Sequence, residues 1–195
     1  MMRTIIATTA LFTSIATTAQ AEMARYELDT EHTAVYFKID HIGYAKTLGI
    51  FTDLGGGFMY DMDTQNLSDV AVTIKAESVN TFNAARDGHV RNGDFLNVSD
   101  HPEITFVANA GTPSGDTSGT VTGDLTILGV TQPVTLDVTL NKVAAYPFGH
   151  KREVLGLSMS TTIKRSDFGM TYGVDNGLVG DEVTINIETE AMKME

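Results

Sequence analysis

The chain has 195 residues, a formal net charge of −12 and no cysteine. Without cysteine it can form no disulfide, thiolate nucleophile, Fe–S cluster or zinc–thiolate site. A chain this acidic has no basic stripe to attract a phosphate backbone, so we expect no nucleic-acid partner.

Residues 1–21 have the pattern of a secretory signal peptide. Arg3 precedes an apolar stretch over about 5–16, and the segment closes on the small-x-small site Ala19-Gln20-Ala21. The apolar run is too short to span about 30 Å of hydrocarbon. We therefore expect cleavage rather than a membrane anchor. The mature protein is expected to be a soluble, exported single domain over 22–195.

The mature sequence is dominated by alternating apolar and polar residues, the pattern of a strand with one face in a core. Strands of this kind belong to antiparallel sheets. The alternation and its turn signals predict eight strands, at about 26–41 (which can break near Asp29), 47–60, 68–76, 103–110, 117–128, 133–145, 153–164 and 182–191.

Two segments depart from this alternation. The stretch 78–98 is poor in β-branched residues and offers Asn83 as an N-cap, so it predicts a short helix. A second short helix or turn is expected over 167–172. Gly55-Gly56-Gly57 falls inside a predicted strand, where glycines mark a bulge or barrel bend rather than a phosphate loop.

This arrangement predicts an all-β fold with one or two short helices covering an end. Eight amphipathic strands can stack as a sandwich or close into a barrel, and closure removes the exposed edges. An eight-stranded interior is either just filled by side chains or wide enough for one small ligand. The alternation itself does not distinguish a filled from a hollow interior.

No motif indicates catalysis or metal binding. The five histidines lack the close spacing of a metal motif such as HExxH, and the GxSxG elbow of a serine hydrolase is absent. Asp61 and Asp63 do not have the spacing of a calcium loop. His41 shares the apolar phase of its strand and His32 follows Asp29 in a turn, so both are interpreted as structural. We predict no catalytic residue and no metal ligand.

The segment 86–96 is the densest candidate for a binding role. Asp87 and Arg91 are four residues apart, so on a helix they can form an ion pair. Phe95 and Leu96 offer an apolar plug. The segment is interpreted first as a structural lid over one barrel end, and second as a lid whose cations meet the polar head of a ligand. The candidate lid and head-group residues are Arg86, His89, Arg91 and Phe95.

Several ordered motifs resemble those of the YceI-like family, and together they cover 24–191. The first are Tyr26-Glu27-Leu28-Asp29 with His32, Phe37 and His41-Ile42-Gly43, and Arg86-Asp87-x-His89-x-Arg91-x-x-Asp94-Phe95. The others are His101-Pro102-x-Ile104-x-Phe106, Gly123-x-Leu125-Thr126-x-x-Gly129-Val130-Thr131-x-Pro133-Val134 and Arg165-Ser166-Asp167-Phe168-Gly169. The chain departs from the family pattern at Thr33, Val90 and Leu96, where serine, leucine and an aromatic residue are usual.

This resemblance implies an eight-stranded lipocalin-like barrel exported to the periplasm. It also implies an elongated hydrophobic cavity that binds polyisoprenoids, isoprenoid quinones or other long-chain amphiphiles, and no other cofactor. We therefore expect a periplasmic carrier of an isoprenoid lipid. The apolar residues expected to line the cavity are Phe37, Phe58, Ile74, Phe106, Leu125, Leu136 and Met159, with Phe168, Met170 and Tyr172 at its mouth.

Three other functions remain open at this point. The barrel could scavenge other amphiphiles, such as fatty amides or hydrophobic toxins. It could be an enzyme that acts on a lipid, with His41 or His89 as the base. It could be a structural barrel with a filled core. The sequence also leaves open the donor and acceptor of any transferred lipid and the oligomeric state, with a homodimer among the options.

Overall fold

A computed structural model describes residues 23–195, so the expected signal peptide lies outside the described residues. The strands are β1 Ala24–Leu28, β2 Ala34–His41, β3 Ala45–Phe51, β4 Leu54–Tyr60, β5 Leu67–Lys75, β6 Val79–Asn80, β7 Glu103–Ala108, β8 Thr112–Pro113, β9 Ser118–Ile127, β10 Val130–Ala145, β11 Glu153–Lys164 and β12 Val179–Lys193. Helix α1 spans Ala84–Arg91, and single 3₁₀ turns span Ala76–Ser78 and Arg165–Phe168.

Eight antiparallel strands close into a barrel. The alternation predicted the antiparallel strands, and the resemblance to the YceI-like family implied their closure. They follow each other in the order β1, β4, β5, β7, β9, β10, β11 and β12. The ring closes because β1 pairs on one edge with β4, at Tyr26 and Phe58, and on the other with β12, at Tyr26 and Lys193. The all-β, lipocalin-like fold class is confirmed.

Two of the predicted strands are each divided in two. The expected break near Asp29 separates β1 from β2, and both halves pair with β12. The prediction of one continuous strand over 47–60 is wrong, because the chain turns at Thr52 and Asp53 between β3 and β4. The turn is held by hydrogen bonds from Lys75 N to Asp53 O (2.9 Å) and from the Thr52 hydroxyl to Ser78 O (3.2 Å). After it, the chain changes its neighbours from β2 and β6 to β1 and β5.

The glycine run in β4 forms the bulge that the sequence predicted. The register with β5 shifts between Gly57 and Met59. Gly56 has φ +139°, and a Cβ built there would lie 2.1 Å from the carbonyl oxygen of Ala71. Only glycine combines that backbone conformation with such a close approach of two strands.

The two ends of the barrel differ. One end, called here the α1 end, carries α1, the turn between β2 and β3, and the segment 165–178. The opposite end, called the far end, carries the loops 61–66, 109–117 and 146–152. Helix α1 begins at the predicted N-cap, where the Asn83 side chain accepts from Arg86 N at 3.0 Å. No helix among residues 23–195 has the length and apolar character needed to span a membrane.

Candidate functional site

The barrel encloses an apolar cavity of about 580 Å³. That volume falls within the range of about 300–1,000 Å³ found for small-molecule sites. Inward side chains such as Phe37, Phe106 and Met159 are only partly buried, because they face this space rather than each other. The interior is therefore hollow, a property that alternation could not establish.

The ten residues expected from the sequence to line the cavity and its mouth all lie on its wall. They are Phe37, Phe58, Ile74, Phe106, Leu125, Leu136, Met159, Phe168, Met170 and Tyr172. Their inward direction follows from the period-two pattern of their strands, apart from the last three, which belong to the 3₁₀ turn and loop after β11. Contact between these residues and a ligand remains a prediction.

The wall also contains residues that sequence reasoning missed. Gln65, Gly115 and Ser118 line the cavity from the far end, opposite His89 and Tyr172, which were expected from the sequence and line it from the α1 end. The cavity therefore extends along the barrel. The far-end residues carry no alternating signal, because most of them belong to loops whose path depends on the closed sheet.

An aromatic cluster borders the cavity at the α1 end. The rings of His89, Phe95 and Tyr172 lie 5.0–5.3 Å apart, mostly edge to face. His89 Nε2 lies 3.0 Å from Asp94 Oδ2, so this carboxylate orients the imidazole. Phe95 thus contributes to the mouth as expected, and it does so as part of a packed cluster.

Helix α1 is tied to the barrel through Thr81. The Thr81 backbone N–H and hydroxyl both donate to Asp87 Oδ1 at 2.6 Å. Arg86 donates from Nε to the Thr81 hydroxyl at 2.9 Å and from Nη2 to the Thr81 carbonyl at 2.6 Å. The bonds from the Thr81 hydroxyl and N–H hold the pKa of the Asp87 carboxyl below its usual range.

The expected ion pair between Asp87 and Arg91 is wrong. Among the ion pairs of residues 23–195, none joins a nitrogen of Arg91 to a carboxylate oxygen of Asp87 within 4 Å, because each side chain has a better-placed partner. Arg91 donates to the carbonyls of Glu77 at 2.7 Å and Val79 at 2.6 Å. Of the four candidate lid residues, Arg86, His89 and Phe95 lie on the cavity wall, whereas Arg91 faces the chain that precedes the helix.

Arg165 is a cavity-wall cation that was not among the sequence-derived candidates. It is 2% exposed and donates to the carbonyls of Met170, Tyr172, Val179 and Gly180 at 2.8–2.9 Å. Burial lowers its pKa, and the charge of Asp181 opposes that shift. Arg165 therefore fixes the loop that forms one side of the mouth. Its place at the start of the Arg-Ser-Asp-Phe-Gly motif was the available signal.

One group of side chains among the described residues has the geometry to hold a metal ion. Asp29, His32 and Glu190 place ligand atoms within 4.8 Å of one another. The Nδ1 atom of His32 is already engaged, since it lies 2.8 Å from Asp29 Oδ2. This hydrogen bond raises the pKa of His32. The Asp29–His32 pair therefore has the local hydrogen-bonding role expected for His32.

Comparison with known proteins agrees with this architecture. The family model described as YceI-like domain matches residues 26–191. A UPF0312 protein of Pseudomonas aeruginosa is 38% identical over 195 residues, covering 99% of this chain and 100% of that protein. A UPF0312 protein of Pseudomonas putida is 35% identical, with 99% of both chains covered.

Solved structures show the same barrel. BcnA of Burkholderia cenocepacia has a TM-score of 0.74 at 25% identity, covering 85% of this chain and 99% of BcnA. The YceI protein of Campylobacter jejuni has a TM-score of 0.73 at 33% identity, covering 81% and 91%. A polyisoprenoid binding domain from Saccharophagus degradans shares the fold, with a TM-score of 0.63 at 16% identity over 89% and 100%. The chain described here belongs to the YceI-like family.

Proposed function

We propose that this protein binds a long-chain isoprenoid lipid, either a polyprenyl chain or an isoprenoid quinone, in the barrel cavity and carries it through the periplasm. The observation that carries the proposal is the hollow interior, whose wall presents an almost entirely apolar surface to the cavity. Such a wall recognises hydrocarbon rather than a polar metabolite.

The energetics of the cavity suit a long apolar chain. Each buried CH₂ group contributes about 0.8 kcal/mol of transfer free energy, so affinity grows with the length of chain that the barrel covers. The polar side chains near the α1 end are already engaged, as Arg86 is with Thr81 and His89 with Asp94. Affinity is therefore expected to depend mainly on the chain and only weakly on the head group.

The likeness to the Saccharophagus degradans domain supports the class of cargo. That domain is described as polyisoprenoid binding, and it shares the closed barrel with this chain. An isoprenoid would extend along the cavity from the aromatic cluster toward the far end.

We also propose that the protein binds without catalysing a reaction. At the cavity wall, the pair to consider for catalysis is His89 with Asp94, because a carboxylate that orients an imidazole can activate a nucleophile. No hydroxyl side chain within residues 23–195 forms a hydrogen bond with His89. The pair borders an apolar chamber and packs against Phe95 and Tyr172, which fits a closing element.

Solvent extraction followed by mass spectrometry tests this function. The mature protein, purified from its native host, should yield one long isoprenoid species per chain, and delipidated protein should take up an added polyprenol. A fatty amide in the extract would indicate the scavenger role instead. An empty extract combined with no uptake of polyprenol or an apolar fluorescent probe would contradict the proposal. Chemical conversion of the added lipid would indicate an enzyme.

A further inference from the structure

The α1 end of the barrel has a rim of exposed apolar side chains, and two of these side chains belong to residues with a strained backbone. We propose that this rim docks the barrel onto an electrically neutral, zwitterionic lipid bilayer, with the turn between β2 and β3 inserted among the head groups. The inference rests on the proposed lipid-binding function, because the bilayer would be the source or destination of the cargo.

The rim consists of large apolar side chains around the mouth of the cavity. Ile42 is 45% exposed, Tyr44 90% and Phe82 66%. Ile42 and Leu178 also form part of the cavity wall, so the exposed surface is continuous with the interior. Single exposed apolar residues are common, but a set that surrounds one opening indicates a binding surface.

The backbone at two of these positions is unfavourable for the residue it carries. Ile42 and Gly43 have φ +56° and +71°, and Tyr44 N donates to His41 O at 3.1 Å, so both central residues have the positive φ that a type I′ turn requires. Asparagine followed by glycine is the preferred pair in such a turn, whereas a β-branched residue at positive φ is an outlier. Phe82, just before the N-cap of α1, has φ +65°.

A third strained residue at the same end shows how such strain is usually offset. Leu128 has φ +53° and precedes Gly129 in the tight turn between β9 and β10. Its side chain packs against the hydrophobic core beneath α1. Within residues 23–195, Ile42 and Phe82 belong to neither hydrophobic core cluster. They combine strain with exposure, so a partner outside this chain that buries the two side chains would offset the strain.

The chemistry of the rim fits a bilayer. A bilayer is where a long apolar chain resides, and an apolar rim in contact with it lets the chain enter the cavity without crossing water. The β2–β3 hairpin carries two lysines, Lys38 and Lys46, against one carboxylate, Asp40. Tyrosine and lysine beside an apolar tip are typical of residues at the head-group level. The net charge of −12 opposes anionic lipid, which selects a neutral surface.

The decisive variants are Ile42→Asn and Phe82→Asn, because asparagine tolerates positive φ. Both should fold, and Ile42→Asn should raise the melting temperature by creating the preferred Asn-Gly turn. Each should weaken binding to phosphatidylcholine vesicles by about tenfold in a flotation assay, the effect of losing one inserted apolar side chain. Phe148→Ser is the matched control, since Phe148 is 65% exposed but lies at the far end. It should bind vesicles like the wild type.

The outcomes separate docking from cargo binding. Phe82 is not part of the cavity wall, so Phe82→Asn should take up polyprenol from detergent solution as the wild type does. Docking is overturned if the wild type ignores phosphatidylcholine vesicles, if it binds only vesicles that contain phosphatidylglycerol, or if all three variants lose binding equally. It is also overturned if the wild type ignores vesicles but forms a dimer, and Ile42→Asn dissociates that dimer. The rim would then be an interface between two copies of the chain. A wild-type protein that binds vesicles but takes up no polyprenol would contradict the proposed function and leave docking intact.

Discussion

Leu136 and Thr139 show how a single strand separates the cavity from solvent. Leu136 is buried on the inner face of β10 and lines the cavity, whereas Thr139 is exposed on the outer face. Thr135, also exposed, has its hydroxyl 2.8 Å from that of Thr122 on β9. Thr139 is therefore the better control for the effect of a carboxylate on this strand.

We expect Leu136→Asp to lose either the fold or the ligand. A lone carboxylate in an apolar wall costs several kcal/mol unless it is protonated. Thr139→Asp should change the free energy of unfolding by only about 0.5 kcal/mol. Thermal melts and extractable lipid, measured on both variants, check the prediction. A Leu136→Asp protein with normal melting and normal lipid content would mean that the inner face is assigned wrongly.

The charge of Arg86 would suit a ligand head group, but its hydrogen bonds to Thr81 indicate a structural role. Because its guanidinium binds Thr81 twice, Arg86→Gln should lower the free energy of unfolding by about 1 kcal/mol. The affinity of the folded variant should stay within about threefold of the wild type. Titration with polyprenol and polyprenyl phosphate, beside thermal melts, tests this. Selective loss of the phosphorylated lipid at an unchanged melting temperature would assign Arg86 to the head group.

At the scale of elements, the close approach of β4 to β5 depends on one glycine, Gly56. Gly56→Ala should destabilise the protein by roughly 2–4 kcal/mol, because the new Cβ meets the Ala71 backbone and φ is +139°. Gly55→Ala is the neighbouring control, since a Cβ there has nothing within 4 Å. Its stability should be unchanged or slightly higher. Equal losses in both variants, seen in urea unfolding, would show that the loss does not come from the contact with the Ala71 backbone.

Helix α1 should detach from the barrel in acid. The pKa of Asp87 is lowered in the folded protein, so its contribution to stability is complete above the unfolded-state value of about 3.9. It is lost as the pH falls through the lower, folded-state value. Hydrogen exchange of the α1 amides should therefore accelerate below about pH 4 relative to the barrel strands. Asp87→Asn should lack this pH-dependent step, and the same acid step in that variant would assign it to another group.

At the scale of the whole molecule, the fold class was predictable because alternation is a local signal. It oriented Phe106 and Met159 correctly, and Asn83 marked the start of α1. The turn at Thr52 was not predictable, since it depends on strands that join the sheet elsewhere. The hydrogen-bond partners of Asp87 and Arg91 were not predictable for the same reason. Thr81 and Val79 come close to these side chains only after β6 forms.

Removal of residues 1–21 is a further prediction for the whole molecule. The Ala19-Gln20-Ala21 site precedes an acidic start at Glu22, which is the pattern read by a signal peptidase. Protein from the periplasmic fraction should therefore have the intact mass of a chain that begins at Glu22. A mass that corresponds to a start at Met1, or recovery only from the cytoplasm, would contradict export by this route.

The pairing of β1 with β12 has a consequence for the kinetics of folding. Tyr26 and Lys193, near opposite ends of the chain, must meet before the ring closes. Pairings between strands this far apart in the sequence slow folding, because loop entropy is lost before the contacts form. No barrel exists until β12 is available, and until then β11 and β2 present unpaired edges. An emerging chain would therefore keep open sheet edges, accessible to chaperones, until its last strand arrives.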